Sequence, residues 1–140
     1  ENKTVIPVGT TSMRTLESLY YLGVKVLNHP EIALKDLQVS QWDPYQTTIK
    51  PAKDEALNAL ANYLESQGAN KVMTKTQLMI APGYTFNVCN GLITNFHQPK
   101  STLMLLVAAL IGDDWGAVYR YALDHDFRFL SYGDGSLLLP

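Results

Sequence analysis

The stretch from Leu92 to Ile111 limits the possible folds more than any other part of the chain. A short apolar run, Leu92-Ile93, ends in Thr94, Asn95, Phe96 and His97. Pro99 stops any regular element, and Ser101 or Thr102 opens a helix, Leu103 to Ile111, that is apolar all round. A helix without a polar face is buried on most sides, so it asks for a larger body than an amphipathic surface helix does. The spacing predicts a strand that passes to a helix through one loop carrying hydroxyl, amide, imidazole and ammonium groups. Such loops lie at a surface yet are gripped by rigid elements on both sides, where binding and catalytic groups concentrate. By spacing alone, an ordinary surface loop with an N-cap accounts for the same residues.

The rest of the chain alternates strand and helix patterns. Val5 to Val8 reads as a buried strand. Gly9-Thr10-Thr11-Ser12 follows, then a helix from about Met13 with Leu16, Leu19, Tyr20, Gly23 and Leu27 on one stripe. Arg14, Glu17 and Tyr21 are expected to point elsewhere. The strand-to-helix turn has the form of an anion site: glycine allows close approach, and free N–H groups of the first helical turn face the ligand. Thr10, Thr11, Ser12 and Arg14 add donors. The simpler reading makes Thr11 or Ser12 an N-cap and pairs Arg14 with Glu17. The turn is neither a P-loop nor a G-x-G-x-x-G turn.

A short strand is expected through Leu37, Val39 and Gln41, and an amphipathic helix from Pro51 through Leu64 to Gly68. Gln77 to Ala81 and Thr85 to Val88 read as a hairpin across Pro82-Gly83. A second late helix runs from Trp115 to about Leu123, capped by Asp113 or Asp114. Phe127 to Leu130 and Leu137 to Leu139 close the chain as strands. Asp134, between Gly133 and Gly135, either turns toward a ligand or bonds its own backbone. This alternation predicts an α/β fold with a mainly parallel sheet and no internal domain boundary in 1–140.

Composition narrows the function. Of 140 residues, 46% are apolar and 17% charged, as in globular proteins. The net charge of −2 gives no broad basic surface, so any nucleic-acid contact must be local. One cysteine, Cys89, excludes an internal disulfide framework and a multi-cysteine zinc site. The apolar run Leu103 to Ile111 is too short to span a bilayer. The start, Glu1-Asn2-Lys3, lacks an initiator methionine and is read as a cut from a longer chain.

Three segments, in order, carry a family resemblance. They are Val8-Gly9-Thr10-Thr11-Ser12-Met13-Arg14-Thr15-Leu16-Glu17-Ser18; Pro82-Gly83-Tyr84-Thr85-Phe86 with Gly91 to Leu103; and Arg128-Phe129-Leu130-Ser131-Tyr132-Gly133-Asp134. Together they closely resemble the C-terminal part of the S-adenosylmethionine:tRNA ribosyltransferase-isomerases of queuosine biosynthesis. The resemblance covers roughly Val5 to Leu27 and Val72 to Leu139. It implies the C-terminal portion of a larger α/β barrel-like domain. It also implies a cytoplasmic transferase acting on tRNA and S-adenosylmethionine, with no membrane partner and with the missing N-terminal part of the same chain completing the site. The family transfers the ribosyl part of S-adenosylmethionine to 7-aminomethyl-7-deazaguanine in tRNA. Epoxyqueuosine forms, and adenine and methionine leave. S-adenosylmethionine is a co-substrate; no further cofactor and no metal are expected. The family usually has acids at Gln77 and Asn90, leucine at Gln98, and small and apolar residues where Gly135-Ser136 stand.

That chemistry needs a base, an acid for the departing adenine and a seat for the methionine carboxylate. His97 is expected to transfer protons. Asp134 is expected to act as base or to offset the sulfonium charge. Gly9, Thr10, Thr11, Ser12 and Arg14 are expected to hold a carboxylate or phosphate. Thr94, Asn95, Ser101 and Thr102 are expected to bind ribose or base edges. Tyr84, Phe96 and Tyr132, with Gly133 beside it, are expected to stack on a base. Two competing readings remain. One is an inactive or incomplete module that binds nucleotide or RNA without turnover. The other is a generic phosphate-binding α/β protein.

Overall fold

The computed structural model describes residues 3–140; Glu1 and Asn2, the first two residues of the expected cut, lie outside them. In chain order the elements are α1 (Thr10–Asn28), α2 (Asp43–Gln46), α3 (Lys53–Ser66), β1 (Leu92–Asn95), α4 (Thr102–Ile111), α5 (Trp115–Asp124) and β2 (Gly135–Leu138). The described residues form two compact units: Thr15–Met79, and the residues up to Arg14 with Ile80–Pro140. The division falls inside α1, where no composition shift marks it, so the sequence reading draws no boundary there.

In the unit Thr15–Met79, α1 and α3 supply the core. Ala56, Leu60 and Tyr63 repeat at helical spacing and are buried, as the pattern of α3 predicts. The α1 stripe is wider than expected. Tyr20, Tyr21, Leu22 and Val24 are all buried, and Glu17 is fully enclosed rather than solvated. Gly23 permits a close crossing, because a Cβ there would strike the Ala56 carbonyl. The Tyr20 hydroxyl donates to the Pro51 carbonyl at 2.8 Å, and that of Tyr63 to the Ile32 carbonyl at 2.6 Å. Lys25 and Asp43 form an ion pair at 2.7 Å. The expected strands around Val39 and Gln77 reduce to one parallel bridge, Val39 with Thr76. Backbone bonds from Gln77 to Val39 and from Met79 to Gln41 accompany it. The hairpin expected between Gln77–Ala81 and Thr85–Val88 does not form.

In the other unit, the regular sheet among the described residues is antiparallel, not parallel. β1 pairs with β2 in the register Leu92 to Leu138, Ile93 to Leu137, Thr94 to Ser136 and Asn95 to Gly135. A parallel bridge from Val8 to Ile93 adds the N-terminal segment. The mainly parallel sheet expected from the alternation is therefore not seen among the described residues. Pro82-Gly83 does turn the chain: Tyr84 N–H donates to Ala81 at 2.9 Å, and Gly83 takes φ +94°. Phe127–Leu130 is no strand: Leu130 N–H reaches the Phe96 carbonyl, but the other bonds turn the segment back on its neighbours. Leu130 is left-handed, Gly133 N–H donates to Leu130, and Asp134 N–H donates to Arg128.

The apolar helix appears as α4, ended by Gly112 at φ +59°. Leu106, Val107 and Leu110 are buried, while Leu105 on its outer side is 42% exposed. Read as one helix, Thr102–Asp124 is long and apolar enough to cross a membrane. The 3-10 turn Gly112–Asp114, with its two carboxylates, divides it into α4 and α5 of 10 residues each. At about 1.5 Å per residue, neither half reaches across a hydrocarbon core of about 30 Å.

Candidate active site

Strand direction brings the three motif segments to one end of the short sheet. Gly9 N–H donates to the Ile93 carbonyl at 2.8 Å, and Ile93 N–H to that of Pro7 at 2.9 Å. This parallel pairing sends Gly9–Arg14 and Thr94–His97 out of the same end. β2 enters antiparallel opposite Asn95, so Gly133 and Asp134 arrive there too. The Asn95 side-chain amide donates to the Gly133 carbonyl at 3.0 Å, tying the second segment to the third. Ser136 Oγ donates to the Thr94 carbonyl at 3.0 Å. The cluster thus lies at the carboxyl end of β1 and the amino end of β2.

His97 is the best-positioned titratable group. Its Nε2 lies 3.0 Å from Thr94 Oγ1, and its backbone N–H donates to the Tyr119 hydroxyl at 3.1 Å. Burial lowers the imidazole pKa below its ordinary 6.5, because desolvation disfavours the cation. The ring is therefore neutral near pH 7 and suited to accept a proton. Burial raises the Tyr119 pKa, against a smaller opposing effect of the His97 N–H bond, so this phenol stays protonated.

Asp134 is held by Arg128. The guanidinium contacts Oδ1 at 3.0 Å and Oδ2 at 3.4 Å, and Arg128 backbone N–H donates to Oδ2 at 2.7 Å. The Arg128 side chain, and then its backbone N–H, hold the Asp134 carboxyl below the usual carboxylate range. A base so depressed is weak. The bonds instead brace a loop that also needs Gly133, where a Cβ would collide with the Arg128 carbonyl.

The other expected residues divide. Gly9 takes φ +90°, but its N–H is spent on Ile93. The helix begins at Thr10 rather than Met13, and Gly9, not Thr11 or Ser12, receives the first helical bond, from Met13 N–H. Thr10, Thr11 and Ser12 thus form the first turn, with Arg14 half-buried one turn on. Ser101 is the α4 N-cap, its Oγ accepting from Met104 N–H at 3.3 Å, and Thr102 is exposed beside it. Phe96 is 4% exposed and packs on Tyr119, Phe127 and Phe129 with ring centres 5.4–5.5 Å apart. It is a core ring rather than a stacking platform. Tyr84 is likewise buried, edge-on to Phe86, whereas Tyr132 is 95% exposed. Asn90 lies at the far end of β1 from His97, its Oδ1 accepting from Val5 N–H at 3.0 Å. An acid there would sit away from the cluster.

The queuosine biosynthesis protein family matches residues 1–138. The chain belongs to that family. An S-adenosylmethionine:tRNA ribosyltransferase-isomerase of Roseobacter denitrificans is 36% identical over 99% of this chain and 27% of its own length. The relative of that name from Cereibacter sphaeroides is 45% identical over 66% of the chain and 27% of its own length. The crystal structure of an S-adenosylmethionine tRNA ribosyltransferase from Thermotoga maritima superimposes with a TM-score of 0.58 at 30% identity. It covers 98% of this chain and 33% of its own. This member of the queuosine biosynthesis family thus spans about a quarter to a third of the length of the relatives it matches.

Two functional candidates escaped the sequence reading. Tyr119 reads only as part of an apolar helix face, and nothing local marks its hydroxyl as the partner of His97. Arg128 stands inside the third motif, six residues before Asp134, but its pairing depends on the loop turning back.

Proposed function

We propose that this chain is the C-terminal part of a cytoplasmic S-adenosylmethionine:tRNA ribosyltransferase-isomerase. In this reading it helps transfer the ribosyl moiety of S-adenosylmethionine to 7-aminomethyl-7-deazaguanine in tRNA, giving epoxyqueuosine. One observation carries the reading. The Gly9–Arg14 turn, the Thr94–His97 loop and the Gly133-Asp134 loop, all motif residues, emerge at one end of β1.

S-adenosylmethionine is a sulfonium cation with a weakly acidic C5′ carbon. A base removes a C5′ proton, adenine leaves, the tRNA amine adds to the ribosyl fragment, and methionine departs. Neutral His97 is the proton acceptor, oriented by Thr94 and by the Tyr119 hydroxyl at its backbone. Asp134, paired with Arg128, braces the loop at the end where the sulfonium would lie. The first turn of α1 offers Thr10–Ser12 to the methionine carboxylate or a tRNA phosphate.

The test is adenine release from S-adenosylmethionine by the intact protein, with tRNA carrying 7-aminomethyl-7-deazaguanine. Release by the parent, and its loss by about 100-fold or more in a folded His97→Ala variant, is expected. Normal turnover by that variant would remove His97 from the chemistry. Binding of tRNA and S-adenosylmethionine without release by the parent would select the non-catalytic module instead.

A further inference from the structure

We propose that an open trough beside the His97 loop seats one nucleotide of single-stranded RNA, its base against Trp115 and its phosphate on Lys100 and Arg120. The inference rests on the reading of tRNA as substrate, and adds where a nucleotide other than the reacting one is held.

Two hollows, of about 720 and 460 Å³, adjoin and share Lys100, Met104 and Trp115. No carboxylate lines either one. Leu123, Phe129 and Leu130 give the larger hollow an apolar wall, and Lys100 and Arg120 are its cations. Both cations are exposed, and among the described residues neither is held in an ion pair. The lining itself therefore carries two cations and no anion, although Asp113, Asp114 and Asp124 stand next to it in the chain. Trp115 is 42% exposed and Leu123 65%, so indole and aliphatic surface face the trough.

The backbone is committed to this shape. Lys100 (φ 61°) and Leu130 (φ 67°), both non-glycine residues in the left-handed region, line the trough. Leu130 is held there by donating to the Phe96 carbonyl at 2.9 Å. Residues kept in such conformations cluster where function requires them. Tyr119, whose hydroxyl accepts from His97 N–H, also lines the trough, so an occupant lies next to the proposed base.

The chemistry selects among occupants. A free phosphate would use the cations and leave the indole bare. An apolar peptide would use the wall and leave the cations unanswered. A nucleotide uses both, by base stacking on an aromatic ring and by charge-assisted bonds to phosphate.

Fluorescence anisotropy with a labelled anticodon stem-loop RNA and the intact protein tests this. Trp115→Ala should weaken binding roughly 5- to 150-fold, the range for losing one base–aromatic stack, and Trp115→Phe should recover most of it. Arg120→Gln should lower the slope of log affinity against log salt by about one. If Trp115→Ala fails to fold, the exposed Arg120→Gln decides. Unchanged binding in Trp115→Ala, or an unchanged salt slope in Arg120→Gln, overturns the inference and leaves the trough to a protein contact. A parent that binds no RNA would sink the proposed function as well; a parent that binds while the variants bind equally sinks this inference alone.

Discussion

At the scale of single residues, the environment of His97 sets a pH dependence. Its pKa is lowered by burial, so the folded protein prefers the neutral ring and the unfolded chain takes up the proton first as pH falls. The stability associated with the neutral ring is complete above the unfolded value of about 6.5 and is lost as pH drops through the lower folded value. The same ordering fixes the kinetics. The acid limb of kcat/KM for adenine release should lie below pH 6.5; a limb at or above it would mean that His97 titrates as a solvated imidazole or is not the group observed. The candidacy of His97 was legible, because imidazole, hydroxyl and amide fall within four residues of one another. Its environment was not, because the Tyr119 contact comes from 22 residues away.

At the scale of elements, the helices were legible and most of the strands were not. A helix closes its own bonds within four residues, so a periodic stripe, a cap and a glycine stop determine α3 and α4 nearly to their ends. The α4 cap carries a prediction. Ser101 accepts from Met104 N–H and donates to the Gln98 carbonyl at 2.9 Å, joining the helix to the loop before it. Ser101→Ala should cost about 1 kcal/mol, measured by denaturant unfolding, and Ser101→Asp should restore most of it. A change below a few tenths of a kcal/mol would show that the cap is not used. Strands need distant partners. Thr85–Val88 has a strand-like sequence but forms no hairpin, and Gln77 and Met79 bond to Val39 and Gln41. Phe127–Leu130 alternates suitably, but its loop folds back on Arg128 and Asp134.

At the scale of the whole molecule, each compact unit depends on close approaches that composition does not reveal. In Thr15–Met79, Gly23 lets α1 meet α3 at the Ala56 backbone. Alanine would add about 1 kcal/mol of helix propensity, but its Cβ meets a carbonyl that moves only with the whole helix. Overpacking should win, with Gly23→Ala destabilising by roughly 1–3 kcal/mol in thermal unfolding. An unchanged or raised Tm would show that α1 and α3 separate freely. The buried Glu17 belongs to this scale as well. The stripe pattern places it on a solvated face, yet α1 is enclosed on that side too.

By itself the sequence determined the family, the four longer helices, the Ser101 cap of α4 and the identity of the motif residues, because each is written in local spacing or in contiguous residue order. Tertiary structure decided which of those residues meet. Pairing direction at Val8–Ile93 and register at Asn95–Gly135 bring three distant segments to one end of β1. The same packing turns Phe96 inward, ties Asp134 to Arg128 and leaves Trp115 open. Local patterns cannot specify these outcomes, since each depends on a hydrogen bond or ring contact whose partner is supplied by another part of the chain.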